Sequence, residues 1–284
     1  MSINSIASYG IRHTLLFLLM HTLLVLSTNA EDNSVTSYWE KNDTDDQTRV
    51  DHSQWQKFLD RYLHQTQDGR SLLAYKSVDT SGYVELEEYV QDLSRLDPRV
   101  FNRAEQMAFW INLYNALTVK VVLDNPDKSS ITKMGQRLFS FGPWDEDVVS
   151  ITSQSLSLND IEHQILRPIW KDERVHYALN CASLGCPNLA STVFQSENMV
   201  EKLNKVRAEY LEHPRAIHFD ARGDLHVSSL FQWYLGDFAK DESALLIYLA
   251  SHRTELHERI LGYTGKIRYE YDWDLNSLAG YNNK

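Results

Sequence analysis

The stretch NRAEQMAFWINLYNALTVKVVLD, Asn102 to Asp124, constrains this 284-residue chain more than any other. Its apolar residues fall on nearly every side of a helix, a pattern that is stable only when neighbours cover the helix all round. The chain must therefore wrap other elements around one central helix, which Asn125-Pro126 closes because the residue before proline leaves the helical region. Wound at about 100° per residue, the same helix sets Glu105, Asn112 and Asn115 within one arc. Three polar side chains on a buried line need partners. They are candidates to bind or support a ligand site, or to tie neighbouring loops to the helix.

The other elements are shorter. Trp55, Phe58, Leu59 and Tyr62 repeat at helical spacing from Gln54 to about Leu63, and Leu86, Tyr89, Val90 and Leu93 repeat it after a turn at Gly82. Val148 to Thr152 reads as a short strand. Ser157-Leu158-Asn159-Asp160 offers a cap for the helix DIEHQILR, where Glu162 winds toward the core side and His163 away from it, so the two are not expected to pair in line. Arg174 to Asn180 reads as a strand ending at Cys181, followed by the small-residue turn ASLGCPN and a helix from about Asn198 to Leu211. Residues Ala216 to Phe219 and Leu225 to Val227 form a hairpin, and helices run from Ser228-Ser229 through Phe238 and from about Ser243 to Ile260. The expected fold is α+β, one helix-dominated domain over 53–284 with a small, mainly antiparallel sheet.

The N-terminal 30 residues carry one cationic side chain, Arg12, an apolar run from Leu15 to Leu26 and small residues before a break after Ala30. This is the architecture of a cleavable secretory leader, and the run is short for a spanning anchor. A secreted or periplasmic location without stable membrane insertion is expected. Residues 31–52 are acidic and poor in apolar side chains apart from Tyr38 and Trp39, which predicts a flexible leader. Asn42-Asp43-Thr44 has the form of a glycosylation sequon. A net charge of −11 lacks the clustered surplus cation that nucleic-acid binding requires, and two cysteines exclude a disulfide-rich scaffold.

Six ordered segments, AEQMAFWINLYNALT, GPW, LSLNDIEHQILR, VHYALNCASLGCPNL, SSLFQWYLGDF and YEYDWDLNS, resemble the domain of unknown function 547 family from about Leu72 to Ser277. The resemblance implies a domain found across bacteria, plants and some animals, sometimes fused to glutaredoxin-like domains, whose activity is not established. A distant likeness to papain-like or transglutaminase-like thiol enzymes accompanies it.

Cys181 lies where an extended segment gives way to a turn and helix, a setting whose backbone N–H groups favour thiolate, so it is a candidate nucleophile. Cys186 is five residues away, and in an oxidising compartment the pair could instead close a disulfide. The base would be His163 or His176, ahead of His218 and His226, which lie outside the matching segments. On one straight strand His176 would be roughly 17 Å from Cys181 and on the opposite face, so its service requires a bend. Glu162, buried among isoleucines without a partner, would have a raised pKa and suit a general acid or an orienting carboxylate. His163, His176, Cys181 and Cys186 have zinc-ligand chemistry but no standard zinc spacing, and no cofactor motif is found. Ser77 to Glu88 fits several calcium-loop positions but lacks the first carboxylate, and a polar turn before a helix accounts for it more simply. Trp233-Tyr234 and the Tyr269, Tyr271, Trp273 group could line a groove for a peptide, sugar or other small molecule. Two functions follow. One is an exported thiol-dependent hydrolase or transferase acting on amide or thioester bonds, and the other a non-catalytic binding module braced by a Cys181–Cys186 disulfide.

Overall fold

The central helix α4 spans Arg103–Leu123, and the Asn102 side chain caps it by accepting from the N–H groups of Ala104 and Glu105. The computed structural model describes residues 34–136 and 141–281. The leader reading for residues 1–30 lies outside them. Every side chain of α4 from Glu105 to Val119 is buried, as its all-round apolar pattern requires. Two helices close one side, α2 (Ser53–Tyr62) and α3 (Thr80–Ser94), through the buried Trp55, Phe58, Leu59, Leu86, Tyr89 and Leu93. Gly82 allows their close approach, since a Cβ there would overlap the Tyr62 ring. The calcium-loop pattern is not a loop: Asp79 caps α3 by accepting from Gly82 N at 2.8 Å, and the following acidic residues are helical.

The segment expected to be a flexible leader is docked from its helical residues 34–39 (α1) onward. Trp39 is 2% exposed and meets Trp110 edge-on at 5.1 Å, so one indole supplies the buried area that the acidic composition seemed to lack. Beyond it, Asp43 N donates to the Phe101 carbonyl at 3.1 Å and Asn102 Nδ2 to Asp46 O at 2.9 Å. His52 is buried, with Nδ1 2.6 Å from the Tyr89 hydroxyl and Nε2 without a partner. Burial pushes its pKa down to about 4.

That depression sets an acid sensitivity. Between pH 6.5 and 4 the unfolded chain binds the proton that folded His52 refuses, so stability is full above about 6.5 and falls as the pH drops through this window. The full shift corresponds to about 3 kcal/mol at 1.36 kcal/mol per pKa unit. In urea unfolding, His52→Phe should lose about 2 kcal/mol less than the wild type between pH 7 and pH 4.5. Equal losses would exclude His52 as the acid trigger.

The strands form three small sheets. Antiparallel β1 (Leu63–Gln65) and β2 (Ser71–Leu73) join α2 to α3, and β3 (Asp147–Ile151) pairs with β4 (Gln154–Ser157). The β3–β4 turn uses Thr152 and Ser153 at φ 48° and 65°. In the third sheet β5 (Ile217–Phe219) runs antiparallel to β6 (Leu225–Ser228), and β7 (Arg268–Glu270) lies parallel on the other side of β6. Between the second and third sheets come a π-helical segment, Asp160–Leu166, continuing into α5 (Arg167–Trp170), then the single turn α6 (Val175–Ala178) and α7 (Met199–Glu212). The predicted strand over Arg174 to Asn180 is thus a helical turn for most of its length, with only its end extended. The predicted helix ending at Phe238 divides into α8 (Leu230–Trp233) and α9 (Leu235–Phe238), and the one after it into α10 (Glu242–His252) and α11 (His257–Leu261). One apolar core links Trp39 to Ile267. Among the described residues, no helix is long and apolar enough to cross a membrane.

Candidate functional site

Cys181 sits in a turn that several segments hold in place. Asn115 on α4 donates from Nδ2 to the Ala178 carbonyl at 3.0 Å and accepts the Asn180 N–H at 2.9 Å. Asn180 in turn accepts the Ala182 N–H at 3.0 Å. The bend puts buried Ala182 at φ 58°, a left-handed conformation that a small residue tolerates best. The C-terminal segment then zips onto the turn: Asp274 O accepts from Leu184 N and Asp272 O from Gly185 N, both at 2.8 Å. A Cβ at Gly185 would lie 2.8 Å from Asp272 N, so this approach requires glycine.

The same segment brings Tyr271 to the thiol, its hydroxyl 3.0 Å from Cys181 Sγ and 3.1 Å from Ser183 Oγ. Ser183 Oγ is itself 3.3 Å from the sulfur. Cys181 N donates to Cys186 Sγ at 2.9 Å. Both cysteines are free thiols, Cys181 partly exposed and Cys186 buried. A hydrogen bond from Cys186 holds the Cys181 pKa below its ordinary value against the opposing effect of burial, with help from Ser183 and Tyr271. Burial pushes the Cys186 thiol well up, so Cys181 is the member of the pair that ionises first.

Cys181 lines a cavity of about 430 Å³ together with Glu162, His176 and Tyr114. Glu162 comes from the π-helical segment, anchored where Asp160 accepts the Ser157 N–H at 2.8 Å. The wide turn overrides the divergence expected of helical neighbours, and His163 Nδ1 lies 3.9 Å from Glu162 Oε1. His176 stands between two carboxylates, Nδ1 3.6 Å from Glu162 Oε1 and Nε2 2.6 Å from Asp237 Oδ2. Its ring stacks on Tyr234 at 4.2 Å. Arg167 pairs with Asp237 at 2.7 Å and approaches His163 Nδ1 at 3.1 Å, while Tyr114 donates to Glu162 Oε2 at 3.1 Å.

These contacts correct the raised pKa expected for Glu162. Burial does oppose its charge, but His176, His163 and the Tyr114 hydroxyl outweigh it, and the carboxyl stays below its usual range. Burial likewise opposes the His176 cation, yet Asp237 and Glu162 hold its pKa above the ordinary value. Burial together with Arg167 lowers His163. The arrangement is an ionised carboxylate open to the pocket, backed by an imidazole that a second carboxylate orients.

Neither histidine is within hydrogen-bond distance of Cys181 Sγ, whose partners are hydroxyls and the second cysteine. His176 shares the pocket because α6 supplies the bend that a strand would lack, whereas His163 lies in a neighbouring polar cleft with Arg167 and Asp237. Among the described residues, the ligand atoms of His163, His176, Cys181 and Cys186 do not gather as a zinc set. Glu105 accepts from Val50 N at 2.8 Å and from Ser196 Oγ at 2.6 Å, and Asn112 makes paired bonds to Phe194 N and O at 3.0 and 2.8 Å. Neither lines the pocket. Asp237, Tyr114 and Ser183 were not anticipated. Asp237, an acid inside the aromatic segment SSLFQWYLGDF, was the signal available.

The mouth is aromatic. Phe141, Trp144, Trp233 and Trp273 pack ring against ring with centroid separations of 5.3 to 5.9 Å, and Tyr271 meets Trp273 at 4.6 Å. A larger cleft of about 730 Å³ near Tyr75, Tyr83 and Asn125 has neither thiol nor imidazole on its walls.

Comparison with curated proteins found no match, and comparison with solved structures found none either. Residues 98–211 match a family model described as "Protein of unknown function, DUF547", a stretch that contains Glu162, His176 and both cysteines but ends before Asp237 and Tyr271. Over residues 98–211 the chain is thus similar to the DUF547 family.

Proposed function

We propose that the protein is an exported thiol-dependent hydrolase or transferase acting on amide or thioester bonds, with Cys181 as nucleophile. The observation that carries this reading is a partly exposed thiol of lowered pKa in the same pocket as an ionised, imidazole-backed carboxylate. In this reading Cys181 reacts as the thiolate that its hydrogen bonds favour, its proton passing to Glu162 across the pocket through a water, and its sulfur attacks the acyl carbon. The new C–S bond replaces the bond to the leaving group, which takes the proton from Glu162. Water or another acceptor then gives its proton to the same carboxylate and bonds the acyl carbon as the C–S bond breaks, and Glu162 returns that proton to Cys181. His176 and Asp237 are positioning residues that keep Glu162 oriented and charged. The aromatic mouth favours a substrate with an apolar or ring-bearing part. Export rests on the leader architecture of residues 1–30.

The test is alkylation of protein purified without reductant, followed by mass spectrometry from pH 5 to 10. Cys181 should react with iodoacetamide at least about tenfold faster than Cys186 at pH 7, with a midpoint below the free-thiol value of about 8.5. Cys181→Ala should abolish both the fast phase and any acyl release in a screen of amide and thioester substrates. A two-dalton mass deficit with no thiol even after unfolding would overturn this reading in favour of a disulfide-braced binding module.

A further inference from the structure

We propose a second, separate site on the third sheet: a divalent transition-metal site of the zinc type formed by His218, His226 and Glu270. Each of its three strands contributes one ligand. His218 on β5 is directly opposite His226 on β6, and Glu270 ends β7 beside them. One ligand atom from each lies within 4.8 Å of the other two. A tetrahedral ion with bonds of about 2.0–2.1 Å needs ligand atoms roughly 3.3 Å apart, so modest side-chain rotation closes the set. Glu270 is exposed and free to make that adjustment. Two imidazoles and a carboxylate are a donor set suited to Zn²⁺ with one position open.

The surroundings prepare the ligands. His218 Nδ1 lies 2.9 Å from the Pro214 carbonyl oxygen, which can only accept, so the ring proton sits on Nδ1 and Nε2 presents its lone pair. Nε2 is the atom that faces Glu270, at 3.8 Å. His226 turns Nδ1 toward Glu270 at 3.0 Å, while its buried Nε2 has no hydrogen-bond partner and lies 3.6 Å from Asp220 Oδ2. Metal at Nδ1 shifts the His226 proton to Nε2, where Asp220 is the outer carboxylate that metal-bound histidines commonly use. The nearby cations do not compete for Glu270. Arg268 pairs with Asp224 at 2.7 Å and Arg222 with Asp220 at 3.2 Å, and among the described residues the ion-pair partners of Glu270 are these two histidines.

The experiment is Zn²⁺ titration of the full chain against a fluorescent zinc chelator, in the wild type and in a Cys181→Ser/Cys186→Ser variant that removes thiol ligation. Both should bind one ion per chain. His218→Ala and His226→Ala should weaken binding about 100-fold or more, and Asp220→Asn by about tenfold, since outer-shell changes in metal sites cost 10- to 100-fold. Glu270→Gln, at an exposed position, should weaken it with little change in the melting temperature of the metal-free protein. Absence of zinc binding, binding that survives both histidine variants, or binding that disappears with the cysteines would each overturn the proposal. None of these outcomes depends on Cys181 being catalytic.

Discussion

Replacing His176 by alanine is expected to destabilise the protein by about 3–5 kcal/mol at pH 8. His176 is 3% exposed and Glu162 8%, so the variant leaves a buried carboxylate without the cation that holds it ionised. In the wild type the Glu162 pKa is depressed, so its contribution is present above the unfolded value and is lost as the pH falls through the folded one. The raised His176 pKa acts in the opposite sense, contributing below its unfolded value and fading as the pH rises through the folded value. Without His176, burial dominates and the Glu162 pKa rises above its unfolded value. Its charge then costs stability at high pH, and protonation relieves that cost as the pH drops. Adding Glu162→Gln should recover part of the loss at pH 8, giving a coupling of about 0.5–3 kcal/mol in a double-mutant cycle. Urea unfolding of the two single variants and the double variant at pH 8 decides the matter. No recovery in the double variant would show that His176 serves packing rather than charge.

Much of the frame around these residues was legible because it rests on local patterns. The central helix follows from apolar residues on all its sides, its start from the cap at Asn102 and its end from Asn125-Pro126. Strand β4 leaves no mark in the sequence because the turn before it, Thr152-Ser153, takes positive φ without the glycine or asparagine that normally marks such hairpins. The segment VHYA reads as a strand because a short apolar run fits a strand and a buried helical turn equally well, and tertiary packing makes the choice. No periodicity marks the π-helical turn that sets Glu162 beside His163. In the candidate site, Cys181, Glu162 and His176 stood out as chemistry-bearing residues in apolar surroundings. Asp237 lies 61 residues beyond His176, and only the fold brings it within 2.6 Å. Tyr271 lines the pocket as its aromatic group suggests, and its hydroxyl also touches the thiol. The polar line on α4 is visible too, but Glu105 and Asn112 serve the Val50 and Phe194–Ser196 segments, and Asn115 alone holds the segment that leads into Cys181.

That division of labour on α4 allows the support of Cys181 to be tested apart from general stability. Asn112 and Asn115 are both buried asparagines, and each donates one hydrogen bond to a loop carbonyl and accepts one from a loop N–H. Alanine at either position leaves two buried backbone groups unpaired at about 1–3 kcal/mol each, so both variants should lose about 2–6 kcal/mol in urea unfolding. Their effects on the thiol should differ. Asn112 holds Phe194, away from the pocket, while Asn115 holds Ala178 and Asn180, the residues that lead directly into Cys181. Releasing Asn180 loosens the placement of Cys181 against Cys186, Ser183 and Tyr271, the three groups whose hydrogen bonds lower its pKa. A rise of one unit reduces the thiolate fraction at neutral pH about tenfold. Asn115→Ala should therefore slow iodoacetamide capture of Cys181 by about that factor at pH 7 and move the midpoint upward, whereas Asn112→Ala leaves both unchanged. If the two variants slow capture equally, the reactivity of Cys181 follows overall stability and the Asn115–Asn180 contact has no special part in it.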